Sequence, residues 1–161
     1  MDERRFILPD SRGEILLEAT VLEHIYRYAQ CGPWQREAGG QLFSPTPEQA
    51  TVRISLGTGP YKEDRSTRCG FVPNLRTATQ DRHTQFALGR HAVGLWHTHP
   101  EACPMPSEQD RETAQAYLKA FDGAMEGFIL LILGNRGNPL NMTLWMASIR
   151  LGHSWVQLTE A

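Results

Sequence analysis

Apolar and polar positions alternate along this chain in short stretches that predict a mixture of strands and helices. Alternation, or a compact apolar run between turn-forming residues, is typical of a strand, whereas recurrence every three or four residues is typical of a helix. These patterns predict strands at residues 5–8, 14–17, 40–43, 51–56, 93–97, 128–133, 140–149 and 155–158. They predict helices at residues 21–30, 74–88 and 108–121, with Asn74 as the N-cap of the second helix.

The order of these elements predicts an α/β fold. Residues 128–133 are Phe-Ile-Leu-Leu-Ile-Leu, and such an apolar run is typical of a strand that is covered on both faces. We therefore expect a three-layer architecture, with a mixed central sheet and helices on both of its faces. At 161 residues, without internal repeats, the chain is expected to form one domain over residues 1–161.

One long polar segment, residues 57–68, interrupts this pattern and offers almost nothing to bury. We predict a mobile surface loop there, of a length that is often functional or disordered. Between Arg53 and Arg90 the chain has six arginines and one lysine against three acidic residues. This local positive charge is either a solvated face or a docking surface for an acidic partner protein, and the sequence does not separate the two.

The richest chemistry lies in Leu95-Trp96-His97-Thr98-His99-Pro100. His97 and His99 are expected to project from the same side of an extended strand, because side chains alternate faces with a period of two. Asp110 follows eleven residues after His99, in the first turn of a predicted helix. Two imidazoles and one carboxylate, at a strand end and a helix start, would form an open zinc site whose fourth position is left for water.

Asp110 has a possible structural role as well. Ser107 and Asp110 fit a capping-box variant, with Ser107 as N-cap and Asp110 at the third helical position. Asp110 also lies four residues before Ala114, on the apolar stripe of the predicted helix. Because a carboxylate that faces a core is costly unless it is paired or bound to metal, we predict that Asp110 turns to the metal while Ser107 caps the helix. Cys103 is an alternative fourth ligand that would close the site as a structural one.

A zinc hydrolase also needs a general base, and Glu37 is the candidate. It stands in Arg36-Glu37-Ala38-Gly39-Gly40, directly before a strand-like run. Paired glycines mark a place where the backbone must bend or where another group approaches closely. On its own, an acid before two glycines is more typical of a solvated loop, so the prediction depends on the combination of motifs.

That combination is Glu-x-Gly-Gly, His-Thr-His-Pro and Ser-x-x-Asp, and in this order and spacing it resembles the motif of the JAMM (MPN+, JAB) zinc metalloprotease family. The resemblance implies that His97, His99 and Asp110 bind one catalytic zinc ion with a bound water. It implies that Glu37 deprotonates this water and then protonates the leaving amine, and that Ser107 helps to hold the oxyanion. The implied fold is the three-layer JAB/MPN fold, which is cytidine-deaminase-like.

The resemblance also implies a substrate class. The chain looks most like small stand-alone bacterial members, which implies an isopeptidase or peptidase that cuts after the C-terminus of a ubiquitin-like protein or a conjugated protein. Such members are often encoded beside ubiquitin-activating-like and ubiquitin-conjugating-like enzymes in antiphage systems, including the CBASS type. The implied partners are therefore these enzymes and a CD-NTase, a cyclic-nucleotide synthase. In relatives, an insertion near residues 57–68 helps to hold the substrate tail, whereas the short connection at residues 122–127 leaves no room for a second, linkage-selecting insertion.

Three other interpretations stay open at this point. The same chemistry would serve a peptidase that trims a C-terminal extension from a sulfur-carrier protein. A non-catalytic MPN scaffold would only bind partners, although the intact ligand set disfavours it. A RadC-like protein shares the His-x-His and Ser-x-x-Asp patterns and has a link to DNA, although the Glu-x-Gly-Gly element and an isoelectric point near 6.3 disfavour it.

The bulk properties favour a cytoplasmic enzyme. A net charge of −2 gives no global attraction to nucleic acid or to an anionic membrane. We identify no apolar stretch long enough to span a bilayer, and the apolar run near the N-terminus is too short for a signal peptide. Cys31, Cys69 and Cys103 are odd in number and form no Cys-x-x-Cys pair, which fits reduced thiols.

The remaining sequence features point to no rival chemistry. The chain contains neither a Gly-x-Ser-x-Gly elbow nor a phosphate-binding glycine loop. Four further histidines fit no ligand spacing and are predicted to be structural or surface residues: His24, His83, His91 and His153.

Overall fold

The computed structural model describes residues 2–150 and 154–161, which build a six-stranded mixed sheet at the centre of the fold. In spatial order its strands are β11 (Trp155–Gln157), β10 (Leu140–Ser148), β9 (Gly127–Gly137), β8 (His91–Thr98), β3 (Gly39–Ser44) and β5 (Leu56–Gly57). β8 and β9 are parallel, and the other neighbours in this sheet are antiparallel. Because β9 lies inside the sheet, all six residues from Phe128 to Leu133 are buried, as the apolar run predicts.

Two smaller sheets and three helices complete the fold. The second sheet has the spatial order β12 (Thr159–Glu160), β1 (Arg4–Ile7), β2 (Glu14–Leu17) and β4 (Thr51–Ile54). A separate hairpin consists of β6 (Arg65–Thr67) and β7 (Gly70–Val72). The helices are α1 (Ala19–Tyr26), α2 (Leu75–Ala87) and α3 (Glu108–Ala120), with a short 3-10 helix at Pro9–Ser11.

The apolar core occupies both faces of the six-stranded sheet. On one face, Leu22 and Ile25 of α1 belong to the same buried cluster as Leu131 of β9. On the other face, Ala114 and Leu118 of α3 pack with Phe128. α2 lies on the α3 side, where the Arg82 guanidinium is 5.4 Å from the centre of the Tyr117 ring. These contacts confirm the predicted α/β class with a mixed sheet and helices on both faces.

Element boundaries differ from the sequence prediction at several places, and two of the differences have a structural reason. The first helix ends at Tyr26 rather than at residue 30, because Gln30 turns inward and is only 1% exposed, with its side chain bonded to neighbouring loops. The predicted strand at residues 51–56 is two strands in different sheets, since β4 pairs with β2 and β5 pairs with β3. The chain changes sheets at Ser55, whose backbone N–H donates to the Phe43 carbonyl at 3.1 Å.

The polar segment at residues 57–68 is more structured than the sequence suggests. It contains the end of β5 and all of β6. Tyr61 is half-buried, and its hydroxyl donates to Asp81 Oδ2 of α2 at 2.5 Å and lies 2.8 Å from Thr58 Oγ1. The segment therefore half-buries one aromatic side chain, Tyr61, which the periodicity of the sequence does not predict. Among the described residues, no helix has the length and apolarity that a membrane crossing needs.

Candidate metal centre

Three side chains that are candidate metal ligands converge where β8 ends and α3 begins. His97 Nε2 and His99 Nε2 are 3.0 Å apart. His97 Nε2 lies 3.6 Å from Asp110 Oδ1, and His99 Nε2 lies 4.0 Å from Asp110 Oδ2. Within the described part of the chain, these three residues form the group of His, Cys, Asp and Glu side chains whose ligand atoms all lie within 4.8 Å of one another. This group could hold a metal ion.

The spacing and protonation of this group suit a tetrahedral zinc ion. Ligand atoms at ~2.0–2.1 Å from a tetrahedral centre are about 3.3 Å from each other, which falls inside the distances observed here. Burial lowers the pKa of His97 to about 4, with the Asp110 charge opposing and the His99 charge reinforcing this shift. The His97 ring is therefore neutral near pH 7, which is the form of imidazole that binds a metal.

Buried polar contacts of Thr98, the residue between the two histidines, fix this end of β8. The Thr98 backbone N–H donates to the Ala38 carbonyl at 2.9 Å, and the Ala38 N–H donates to Thr98 Oγ1 at 3.0 Å. The Thr98 hydroxyl in turn donates to Gln30 Oε1 at 3.0 Å. Because Thr98 points away from the metal group, this network fixes the backbone of His97 and His99 without competing for their ring nitrogens.

The candidate base, Glu37, lies two residues before β3, the strand next to β8 in the sheet. Gly39 pairs with His97 in the antiparallel β3–β8 ladder, and the same register places Glu37 opposite His99. The Glu37 side chain is buried, and its backbone N–H donates to Thr67 of the β6–β7 hairpin at 2.8 Å. Burial, and then the charges of Asp110 and Glu101, raise the pKa of Glu37 to about 7. A carboxyl with this pKa can exchange a proton near neutral pH.

The paired glycines bring other backbone segments close to Glu37. A Cβ at Gly40 would lie 1.7 Å from the Thr58 carbonyl oxygen, and a Cβ at Gly39 would lie 2.7 Å from the Phe71 ring. The same Thr58 carbonyl accepts a hydrogen bond from Trp96 Nε1 at 2.9 Å. The expectation that two glycines allow a close approach is therefore confirmed, and the approaching segments are the 57–68 segment and the β6–β7 hairpin.

Ser107 and Asp110 form the predicted capping box. The Asp110 N–H donates to Ser107 Oγ at 3.1 Å, and the Ser107 N–H donates to Asp110 Oδ2 at 2.7 Å. The Ser107 hydroxyl also donates to Asp110 Oδ2, at 2.8 Å. The two bonds to Oδ2 hold the Asp110 carboxylate, and its Oδ1 lies 3.6 Å from His97 Nε2. The role of Ser107 at an oxyanion stays a prediction.

The structure adds Glu101 and Gln30 to the residues around the site. Glu101 Oε2 lies 3.7 Å from His99 Nδ1, a buried nitrogen that has no hydrogen-bond partner among the described residues. A carboxylate two residues after a ligand histidine is a sequence signal that could have indicated Glu101. Gln30 is more than sixty positions from the histidines in sequence, and no local pattern indicates its contact with Thr98.

Other candidate residues lie outside the group. The three cysteines are free and exposed, and Cys103 is not among the clustered ligand atoms. His24 Nε2 is 2.7 Å from the Gly59 carbonyl oxygen and has a structural role. His83 and His91 line a cavity of about 1160 Å³ at the opposite end of the sheet, where β8 begins. His153 lies outside the described residues.

The fold and the site together define a class of protein: a mixed α/β domain in which a strand-end histidine pair and a helix-start aspartate could hold a metal ion. The family model for prokaryotic homologues of the JAB domain matches residues 18–148, so the chain belongs to that family. The JAB family includes metalloproteases.

The chain was also compared with solved protein structures, and the fold is similar to that of the first one below. A Desulfitobacterium hafniense protein with a solution structure is 15% identical, with 88% of this chain and 87% of that chain covered and a TM-score of 0.62. A Salinibacter ruber protein, also with a solution structure, is 18% identical, with 88% and 86% covered and a TM-score of 0.49. No curated protein matches the chain.

Proposed function

We propose that this protein is a zinc-dependent peptidase or isopeptidase that cuts after the C-terminus of a ubiquitin-like protein or of a conjugated protein. The observation that carries the proposal is the convergence of His97, His99 and Asp110 beside a buried Glu37 whose pKa is raised to about 7. Side chains from β8, α3 and the start of β3 meet there, and each has the chemistry that amide hydrolysis needs.

The donor set fits zinc because it combines two imidazole nitrogens with one carboxylate and leaves room for a fourth ligand. His97 and His99 would bind the ion through Nε2, and Asp110 would bind through its carboxylate. A zinc ion bound there supplies Lewis acidity, which lowers the pKa of a coordinated water toward ~7 and polarises the scissile carbonyl.

Glu37 provides the proton transfers in this proposal. With a pKa raised to about 7, it can take a proton from the attacking water and return it to the leaving amine. Its burial keeps bulk water from competing for that proton, while the Thr67 carbonyl holds its backbone. Such placement of an acid/base group contributes ~10²- to 10⁴-fold to the rate. Ser107, the N-cap of α3, would donate to the oxyanion once its hydroxyl turns away from Asp110 Oδ2, to which it donates at 2.8 Å in the structure.

The substrate is proposed to be a thin, extended tail that is rich in glycine. The β6–β7 hairpin adjoins Glu37, and main-chain groups of the 57–68 segment lie against Gly39 and Gly40. A tail could add as a strand beside this segment, gaining main-chain hydrogen bonds while the folded body of the ubiquitin-like protein stays outside. Glycine before the scissile bond would let the tail reach the metal without a side-chain clash.

We further propose that the protein acts in the cytoplasm within a bacterial antiphage system. Its proposed partners are ubiquitin-activating-like and ubiquitin-conjugating-like enzymes and a CD-NTase substrate. The odd number of cysteines and the lack of a Cys-x-x-Cys pair in the sequence support a reducing compartment. The identity of the neighbouring genes tests this context directly, since genes of another pathway beside this one would contradict it.

The test of the activity is cleavage of a fusion in which a cognate ubiquitin-like protein with a glycine-ended tail precedes a reporter peptide. The zinc-loaded wild type is expected to cut after the tail. Glu37→Gln should bind zinc and fold like the wild type, yet lose ~10²- to 10⁴-fold in kcat. Bulky residues in the last two tail positions should lower kcat/KM. Full activity of zinc-loaded Glu37→Gln would contradict the role proposed for this carboxylate.

A further inference from the structure

An exposed aromatic and basic surface lies directly beside the proposed base. Trp34 is 92% exposed, and Arg36, Arg65 and Arg68 are all exposed. We call these four residues the basic rim. Trp and Arg are among the residues most enriched at the energetic centres of protein interfaces.

The basic rim is held together by hydrogen bonds between two loops. Arg68 Nη1 donates to the carbonyls of Gly32 and Pro33, at 3.2 and 2.6 Å, directly before Trp34. Arg36 Nη1 donates to the Ser66 carbonyl at 3.2 Å. The backbone of the β6–β7 hairpin is also tied down, because the Arg68 carbonyl accepts from the buried Gln30 side chain at 2.8 Å. Arg36 and Arg68 are therefore held in place before a ligand binds, which lowers the ordering cost of binding at these two residues.

The positive charge of the rim is not neutralised within the described residues. The ion pairs there that involve arginine use Arg4, Arg5, Arg53 and Arg150, and no carboxylate pairs with Arg36, Arg65 or Arg68. The guanidinium contacts of Arg36 and Arg68 are to carbonyl oxygens, which leave the full charge available. The rim is therefore a positive surface on a chain whose net charge is −2.

The rim continues into the candidate metal centre. Arg36 directly precedes Glu37 in the chain, and the Glu37 N–H donates to Thr67, the residue before Arg68, at 2.8 Å. A ligand that lies on the rim therefore reaches the metal group within a few residues of extended chain.

We propose that the basic rim binds an acidic stretch of the polypeptide that this site cuts, with Trp34 packing against an apolar residue inside that stretch. The inference rests on the proposed function, because it takes the bound chain to be the substrate. It adds a requirement that the metal chemistry does not impose: glutamate or aspartate close to the scissile bond. Rim charges of this kind accelerate association and select among partners.

A polypeptide fits the rim better than a single-stranded nucleic acid. Nucleic-acid grooves combine a track of positive charge with several aromatic rings on which successive bases stack. The rim has one exposed aromatic ring beside a site whose donor set suits amide hydrolysis. An oligonucleotide is therefore the competing ligand in the test below.

The test measures binding without turnover, on the zinc-loaded Glu37→Gln protein. Short fluorescein-labelled peptides share a glycine tail and differ only in a flanking stretch of acidic, neutral amide or lysine residues. Fluorescence anisotropy is recorded at low and at physiological salt, alongside a labelled thymidine oligonucleotide. We expect the acidic peptide to bind roughly tenfold more tightly than the neutral one at low salt, with this preference shrinking as salt is added.

Two substitutions on the rim, made in the Glu37→Gln protein, test the assignment without disturbing the loops. Arg65→Glu is expected to remove most of the preference for the acidic peptide, because it reverses one of the positive charges of the rim. It should leave the loops intact, since the Arg65 side chain makes no hydrogen bond in the described structure. Trp34→Ala is expected to weaken binding of the acidic peptide several-fold at every salt concentration, because the contact that it removes is apolar and is not screened by salt. Arg12→Glu is the matched control, since Arg12 is an exposed arginine that lines the cavity at the opposite end of the sheet.

Several outcomes would overturn the inference. Equal affinities for the three peptides at low salt, or unchanged affinity in both rim variants, would remove the basic rim as a docking surface. If the oligonucleotide bound more tightly than the acidic peptide, the ligand of the rim would be a nucleic acid rather than a polypeptide. If the wild type cuts glycine-ended fusions without any acidic preference, the rim fails and the proposed function stands. An acidic preference in a protein that cuts no fusion would overturn the claim that the bound stretch belongs to a substrate.

Discussion

At one end of β8, His97 and His99 face Asp110 with ligand atoms 3.0 to 4.0 Å apart, whereas at the other end His91 and His83 line a cavity of about 1160 Å³. Both ends offer imidazoles, and the cavity lies at the end whose imidazoles are not clustered with other ligand atoms. The comparison teaches that the direction of side chains decides where chemistry can occur. A metal needs lone pairs that meet at one point, and cavity volume alone does not provide this.

The two ends also differ in how firmly the backbone is held. Behind the metal group, Thr98 is fully buried and bonds to both Ala38 and Gln30. At the cavity end, β8 begins at the exposed His91, whose ring packs edge-on against the exposed Phe86 at 5.4 Å. The buried polar network around Thr98 therefore pre-organises the metal ligands, whereas the exposed His91 at the cavity end is not held by such a network.

The largest expected effect is loss of metal. His97→Ala, His99→Ala or Asp110→Ala should each reduce zinc affinity by more than the ~10- to 100-fold that changes around a ligand cost, and hydrolysis should fall with it. His91→Ala and His83→Ala should retain about one zinc per chain. Elemental analysis of metal-supplemented protein measures this contrast, and zinc that persists in His97→Ala would break it.

The second effect concerns the glycines. Gly40→Ala should destabilise the protein by about 3 kcal/mol, since the new Cβ would lie 1.7 Å from the Thr58 carbonyl and a backbone segment must move. Gly127→Ala, at the cavity end, should cost less than ~1 kcal/mol, because the nearest atom is the flexible Met146 sulfur at 2.7 Å. Urea denaturation of the two variants gives the difference, and equal costs would show that Thr58 can move away.

The third effect is a dependence of stability on pH in the zinc-free protein. The pKa of Glu37 is raised from 4.5 to about 7, so its contribution to stability is fully present below pH 4.5 and is lost as the pH rises through 7. His97, with its pKa lowered to about 4, acts in the opposite direction as the pH falls below 6.5. The difference between wild type and Glu37→Gln isolates the glutamate.

Between pH 5 and pH 8, Glu37→Gln should therefore gain stability relative to wild type, by an amount on the order of 2 kcal/mol. Urea denaturation of zinc-free protein at the two pH values measures the gain. A relative stability that does not change with pH would mean that Glu37 is not desolvated in the folded protein.

The smallest effect is expected at Glu101. Its carboxylate lies 3.7 Å from the buried His99 Nδ1. A hydrogen bond donated by Nδ1–H to this carboxylate would leave the Nε2 lone pair free to bind the metal. Glu101→Gln should weaken zinc binding roughly tenfold, because outer partners of ligand histidines typically contribute that much. Glu48→Gln, an exposed acid at the cavity end, should leave zinc affinity unchanged. A competitive chelator titration resolves the two, and equal affinities would remove Glu101 from the site.

Local patterns in the sequence were sufficient for much of this fold. The continuous apolar run identified β9 as an interior strand, and the Asn74 cap located the start of α2. Ser107 and Asp110 form the capping box that their spacing predicts. These features depend on residues within one helical turn or one strand of each other, which is why the sequence alone could determine them.

The motif residues form an intermediate case. His97 and His99 were expected on the same side of one strand, and their ring nitrogens do meet. The meeting of Glu37 with this pair could be predicted only through the family resemblance, because sixty positions separate them in sequence. The β3–β8 register that places Glu37 opposite His99 is a tertiary fact.

Only the tertiary structure decided the contacts between distant loops. Gln30 bonds to both Thr98 and Arg68, and Tyr61 bonds to Asp81, which turns a polar segment into a folded one. Likewise, the chain passes from one sheet to the other at Ser55 because β4 lies beside β2 and β5 lies beside β3. Polar side chains satisfy their hydrogen bonds with whatever the fold brings near them, so their partners are set by global packing, while hydrophobic periodicity and helix caps are set by the local chain.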